Sequence, residues 1–329
     1  MNEGSILISP ALSLPFMTAL YSWGIAVITH IQSIASPGLT VFMKALSSLA
    51  STYFYVPFVL FVFWCLDEKK GFRLGLLIIV STWLNLCLKE LFNQPRPFEF
   101  DPALAFEESR AFPSGHAQTS FTFWVSLAFN LAKGKKLRPL VWAVSVFFIL
   151  IIGFTQLYLG LHFPTDILGG WIAGALVLAL FYFLEKPVSQ VFLKTGKRPQ
   201  LISAAGAALL MNALHPADIR LSAMLLGFCG GYSLMLKGFP FSAPPDGKKP
   251  WIQVLAPRIA IGFSAAGVIF LASRLMLPGN DSLWQGIPFL EGFYRVGGFL
   301  RYGLLGLWAS AGAPRVFQHL GITAQPEEA

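Results

Sequence analysis

Three short polar clusters interrupt an otherwise apolar chain. The first is Lys89, six residues, then Arg96-Pro97; the second is Pro113-Ser114-Gly115-His116; the third is His162, three residues, then Asp166. Lys89 and Arg96 offer two positive charges and several donors, a set suited to a phosphoryl group. A small hydroxyl residue and a glycine where a helix begins, Ser114 and Gly115, let backbone N–H groups approach an anion that the helix dipole also favours. His162 and Asp166 stand as a nucleophile or base and its orienting acid, since a carboxylate on one imidazole nitrogen fixes the tautomer and frees the other nitrogen to attack. His116 can then protonate the leaving oxygen. The chemistry these residues spell together is phosphoryl transfer, which asks for in-line positioning and charge neutralisation. No carboxylate cluster suggests a two-metal site, so the expected reaction uses no metal and no cofactor.

Taken singly, each residue has a plainer reading. Lys89 can snorkel to an interface, Arg96 can be a loop charge, and His116 and His162 can be interface histidines. Asp166 suits the first turn of a helix opened by Pro164. The joint reading wins because each cluster falls where an apolar run meets a loop, and ionisable groups at membrane depth are costly enough to be functional by default.

The elements that must carry these clusters are membrane helices. The 329 residues are 55% hydrophobic and 12% charged, with a mean hydropathy of +0.63. Soluble domains carry roughly 25% charge, so this surface cannot be a soluble one. Continuous apolar runs at about 47–66, 73–91, 115–132, 139–158, 165–184, 199–214, 217–236, 255–277 and 297–314 predict an all-α, polytopic integral membrane helical bundle with about nine transmembrane helices. Residues 12–34, broken by Ser, Thr, His and Gln, predict an interfacial helix at the N-terminus, with a tenth span as the alternative. The first ten residues show no cleavable leader pattern. The chain reads as one membrane domain, with a catalytic helical core over 47–184 and further spans over 199–329 that carry no readable motif.

The loops orient these spans. Lys69, Lys70 and Arg73, then Lys133, Lys135, Lys136 and Arg138, then Lys186, Lys194, Lys197 and Arg198, then Lys237, Lys248 and Lys249 occupy every second loop. These 14 of the 24 basic residues mark the cytoplasmic side. The net charge of +8 is therefore mostly topology rather than a nucleic-acid surface. The intervening loops hold the acids Glu99, Asp101, Glu107, Glu108, Asp281 and Glu291 together with the three clusters, so the clusters face outward. The small residues Gly170, Gly174, Gly227, Gly230 and Gly231 predict close helix packing. Cys65, Cys87 and Cys229 all lie in apolar runs and read as packing, not as disulfides.

The clusters resemble the type-2 phosphatidic acid phosphatase superfamily, whose pattern is Lys-x6-Arg-Pro, then Pro-Ser-Gly-His, then Ser-Arg-x5-His-x3-Asp. Here the three motifs read KELFNQPRP at 89–97, PSGH at 113–116 and TQLYLGLHFPTD at 155–166. The resemblance implies that His162 forms a phosphohistidine, Asp166 orients it and His116 is the general acid. It implies that Lys89, Arg96, Ser114, Gly115 and the residue at 156 hold the phosphate. One position departs: the family's Ser-Arg is Thr155-Gln156, which removes a cation. Arg110 is the nearest substitute in sequence; Arg274, Arg295 and Arg301, near the outer ends of the last spans, are weaker ones. The span count, the outside N-terminus and Trp83-Leu84-Asn85-Leu86 before Lys89 are also similar to glucose-6-phosphatase.

The expected protein is a lipid phosphate or lipid pyrophosphate phosphatase of a bacterial cytoplasmic membrane. Its site faces the periplasm or outside. Its partners are a lipid phosphate substrate such as undecaprenyl diphosphate, membrane lipids and a second copy of the chain, with no nucleic acid. A lipid phosphotransferase and a glucose-6-phosphatase-like hydrolase use the same site. A non-catalytic lipid-binding or transport protein, motivated by Gln156, is the rival of another class.

Overall fold

The computed structural model describes residues 15–131, 136–244, 250–278 and 291–323, and every regular element among them is helical. Lys133, Lys135, Lys248, Lys249, Asp281 and the first fourteen residues lie outside the described residues, as does the side chain of Glu291. The helices are α1 (Pro15–Gln32), α2 (Pro37–Ser48), α3 (Thr52–Phe61, continued by a π turn Val62–Leu66), α4 (Glu68–Phe92), α5 (Gly115–Leu131) and α6 (Arg138–Tyr158). There follow α7 (Pro164–Lys194), α8 (Lys197–Leu214), α9 (Arg220–Gly238), α10 (Trp251–Met276), α11 (Glu291–Leu307, continued by a π turn Trp308–Gly312) and α12 (Ala313–His319). By length and composition α4, α6, α7 and α10 can each cross a bilayer.

The apolar runs map onto helices, with two differences. The run at 47–66 is interrupted by turns at Leu49, Ala50 and Ser51. A helix that hydropathy did not separate, α2, precedes that break. Its start is set locally: Ser36 is extended, its hydroxyl accepts from the Leu39 N–H at 3.3 Å, and Pro37 occupies the first turn. Thr40, Lys44, Ser47 and Ser48 dilute its hydropathy. The bend between α1 and α2 is 119°.

The chain divides into two compact units: residues 1–54 with 84–178, and residues 55–83 with 179–329. In the first, α5 packs along α6, and α1 and α2 also lie on α6. Gly170 brings α7 against the start of α5, where an added Cβ would stand 2.6 Å from the Ser114 carbonyl oxygen and 2.9 Å from the Ala117 methyl. A small apolar cluster of Tyr21, Ile28, Leu104 and Phe163 ties α1 to the segment just after His162. In the second unit, α9 packs between α8 and α11. Its core gathers Phe63, Trp64, Cys65, Phe228, Tyr232, Met235 and Phe317. The three cysteines are free, and Cys65 is buried in that core.

Candidate active site

Three helix ends set the site within the first unit. At the first, α4 stops at Phe92 and Asn93 adopts φ 47°, a left-handed conformation that asparagine tolerates better than most residues. The Asn93 N–H reaches the Lys89 carbonyl at 2.9 Å. Lys89 therefore projects from the last turn while Arg96 lies beyond the reversal, and both are buried.

The end of α6 fixes the second. Gly160, at φ 69°, takes the left-handed position of a Schellman motif. The Leu161 N–H bonds the Gln156 carbonyl and the Gly160 N–H bonds the Leu157 carbonyl, both at 3.0 Å. The chain then reaches His162 and enters α7 through Pro164. Asp166 closes this start: its Oδ2 accepts the Phe163 N–H at 2.8 Å and faces His162 Nδ1 at 3.3 Å. One oxygen thus caps a helix and faces an imidazole nitrogen.

The third is the start of α5. The Ser114 N–H donates to the Asp166 carbonyl at 2.9 Å, locking the second motif onto the third. Ser114 Oγ accepts the Ala117 N–H at 3.4 Å as a cap. The first-turn N–H groups at Gly115 and His116 have no intrahelical acceptor. Asn85, one helical turn before Lys89, donates to the Pro113 carbonyl at 3.2 Å and to Gln118 Oε1 at 2.9 Å, so α4 also grips this turn.

Arg96 joins the parts. It donates to the Ser109 carbonyl at 2.6 Å, Ser109 Oγ at 2.7 Å and the Leu161 carbonyl at 2.7 Å. Its remaining contact is His162 Nε2 at 3.1 Å. Guanidinium nitrogen only donates, so Nε2 is the acceptor and the proton sits on Nδ1 facing Asp166. Burial holds the His162 imidazole well below its usual range, and the positive charges of Arg96, Lys89 and His116 add to this. The ring is therefore neutral, with its lone pair on Nε2. Lys89 donates to the carbonyls of Arg110 and Ala111. The hydrogen bonds of both cations thus go to neutral groups, while Glu107 and Asp166 lie within electrostatic reach of both. His116 lies within electrostatic reach of Lys89, Arg96 and His162.

Two of the expected phosphate-side residues stand apart. Gln156 is fully buried, and its amide donates to Ser47 Oγ of α2 at 2.9 Å and Thr155 Oγ1 at 3.1 Å. Its hydrogen bonds thus run toward α2 rather than to Lys89, Arg96 or His162. Arg110 meets Lys89 through its carbonyl, while the residue itself is exposed. Arg274, Arg295 and Arg301 belong to the second unit. Sequence reasoning missed Ser109 and Ser47 and gave Asn85 no role at the site. For Ser109 and Ser47 no spacing rule distinguishes them; Asn85 carried a signal, a polar residue one turn from Lys89 in an apolar run.

Comparison with known proteins points the same way as the geometry. A family model described as the PAP2 superfamily matches residues 70–187, and one described as PAP2 superfamily phosphatase, transmembrane extension, matches residues 219–326. The chain is 30% identical over 165 residues to phosphatidylglycerophosphatase B of Bacillus subtilis, across 48% of this chain and 80% of that one. It is 26% identical over 307 residues to lipid phosphate phosphatase delta of Arabidopsis thaliana, across 85% of this chain and 74% of that one. It is 26% identical over 191 residues to glucose-6-phosphatase catalytic subunit 1 of Haplochromis nubilus, across 49% of this chain and 53% of that one.

Proposed function

Because the chain belongs to the PAP2 superfamily of phosphatases, we propose that it is an integral-membrane enzyme hydrolysing a phosphomonoester or pyrophosphate on a lipid, through a phosphohistidine at His162. The observation that carries this reading is the neutral His162, with Nδ1 toward Asp166 and its lone pair on Nε2 beside Arg96. An incoming phosphate takes the Arg96 N–H from Nε2 and the Lys89 ammonium from its carbonyls. Nε2 then attacks phosphorus in line, the bond to the leaving oxygen breaks, and His116 donates the proton that oxygen needs. Asp166 stabilises the positive charge that grows on the ring. Water cleaves the P–N bond in the second step, giving its proton to His116 and returning His162 to its starting form. The first-turn N–H groups of α5, with Ser114 and Gly115, receive the equatorial oxygens.

The lipid assignment rests on two supports. The motifs sit at the ends of apolar helices, and relatives of the chain carry names that specify phosphatidylglycerophosphate and lipid phosphates. The alternating basic loops support about nine spans, an outside N-terminus and a site on the periplasmic or outer face of a bacterial cytoplasmic membrane. Purified protein should release phosphate from dioctanoyl phosphatidate or a short polyprenyl diphosphate without added divalent ions. A radiolabelled substrate quenched at alkaline pH should leave label on His162. Release at the parent rate by the His162→Ala protein would overturn the assignment.

A further inference from the structure

Tyr21 lies on α1, 73 residues before the partner of its hydroxyl, Gln94. Its side chain is 5% exposed and belongs to the apolar cluster with Ile28, Leu104 and Phe163. Packing alone would be served there by phenylalanine. A buried phenol must also place its O–H, and Tyr21 donates it to Gln94 Oε1. Gln94 is a junction. Its carbonyl accepts the Ala111 N–H at 3.1 Å, its amide donates to the Phe92 carbonyl at 3.0 Å, and Arg96 follows two residues later. On the far side of Arg96, the Tyr21 ring stacks on Phe100 with centroids 4.8 Å apart. Between these contacts the Arg96 N–H donates to Glu99 Oε1 at 2.8 Å, which tightens the same turn. Tyr21 thus meets the chain both before and after Arg96.

The same ring packs on Phe163, the residue after His162, with centroids 5.1 Å apart. The α1 backbone rides on that phenyl group as well: an added Cβ at Gly24 would stand 2.5 Å from Phe163 Cδ1. Tyr21, Gly24 and Ile28, three and four residues apart, are buried on one face of the helix. At the other end of α1, Gln32 Nε2 donates to the Tyr158 carbonyl at 3.0 Å. That bond pins α1 to the last turn of α6, from which the chain runs to His162. Arg96 and His162 meet at 3.1 Å, and each stands on a loop. A misplacement of about 1 Å between reacting groups can cost about 10²-fold in rate.

We propose that Tyr21 is a positioning residue, which holds the Arg96 segment against the His162 segment so that the guanidinium stays on Nε2. It acts through Gln94, Phe100 and Phe163 rather than on the phosphate. The role deepens the catalytic reading and rests on it for its effect on turnover. No motif spacing marks Tyr21, because it reaches the site from another helix.

The test uses the full chain in detergent with ¹⁵N-labelled histidine. Turnover of dioctanoyl phosphatidate and the His162 Nε2 resonance are read side by side. Tyr21→Phe keeps the ring and removes the donor, so kcat/KM should fall about threefold to tenfold, the effect of one hydrogen bond. Tyr21→Leu removes the ring contacts too and should cost about a hundredfold. Both should move the His162 Nε2 resonance, leucine more than phenylalanine, because the Arg96 donor shifts on that nitrogen. His215 and His319 should keep their resonances. Tyr21→Phe should add nothing in Gln94→Leu protein, since the hydroxyl acts through that amide. Ser22→Ala, on the exposed face of α1, should leave both readouts at the parent values. An unmoved Nε2 resonance in Tyr21→Leu overturns the proposal even where the melting temperature falls, because a tyrosine that only stabilises would not shift that nitrogen. Full additivity of Tyr21→Phe with Gln94→Leu overturns it as well. Should Tyr21→Leu fail to fold, Tyr21→Phe carries the same test. A parent protein that releases no phosphate overturns the catalytic reading alone, and the resonance still decides the role of Tyr21.

Discussion

Asp166→Asn removes the charge at Oδ2 while keeping an acceptor there. Oδ2 of Asp166 serves the Phe163 N–H at 2.8 Å and His162 Nδ1 at 3.3 Å. One oxygen meets both donors, so an asparagine that keeps its carbonyl oxygen on Phe163 leaves α7 capped and the ring proton on Nδ1. The ionised acceptor becomes a neutral one, which lowers that bond from about 1.5–3 kcal/mol to about 0.5–1.5 kcal/mol. The positive charge that grows on the ring then meets no carboxylate. At 1.36 kcal/mol per decade, a loss of about 1–1.5 kcal/mol lowers kcat roughly tenfold. KM should change little, because Lys89 and Arg96 are intact. The assay is phosphate release from dioctanoyl phosphatidate, read beside the ¹⁵N spectrum of histidine-labelled protein, in which the His162 tautomer is visible. A kcat equal to the parent's, with the ring proton still on Nδ1, would refute the reasoning.

Four further outcomes follow from the same geometry. Gln156→Arg should lower both melting temperature and turnover, because it breaks two buried hydrogen bonds worth about 2 kcal/mol together and buries another cation; a rise in turnover would mean that the family arginine is simply missing. The acid-side fall in kcat/KM that belongs to His162 should lie below pH 6.5, since the native imidazole is held well below its ordinary value. The same shift makes stability fall as pH drops from 6.5 through the native value, because the unfolded chain binds the proton more readily; His162→Asn protein should show a flatter dependence in thermal unfolding over that window. Gly170→Leu should destabilise by about 1–3 kcal/mol through overpacking against the Ser114 carbonyl, and it should lose activity in the same preparation because Ser114 anchors the second motif to Asp166.

The helices were legible because hydropathy and loop charge are coarse signals that each run of twenty residues repeats. The small-residue spacing at Gly170 and Gly174 was legible too, and both glycines pack on α5. Less visible was α2, whose polar face lowers its hydropathy and whose start is set by Ser36 and Pro37. The proposed catalytic side chains could be named because their types are rare in such a chain. Their supports could not: Ser109 holds Arg96 through a loop, and Ser47 meets Gln156 across 109 residues of sequence. Contacts of that kind depend on how helices meet, which neither motif spacing nor periodicity encodes.

A carbonyl-held arginine recurs through this molecule, and access separates its uses. Arg258 is fully buried and donates to the carbonyls of Trp64 at 2.6 Å, Ala243 at 2.5 Å and Ile322 at 2.8 Å, with its guanidinium over the Phe241 ring. These bonds make it a staple joining three segments of the second unit. Arg96 makes the same kind of bonds, yet one of its nitrogens lies on the lone pair of His162. Arg295 makes the same kind of bond again, to the Pro216 carbonyl. A carbonyl clamp fixes a guanidinium without neutralising it, so the charge is positioned before any anion arrives and the ordering cost of binding falls. Sealing such a clamp makes a structural cross-link, and opening it onto a nucleophile is what the proposed phosphoryl-transfer site requires.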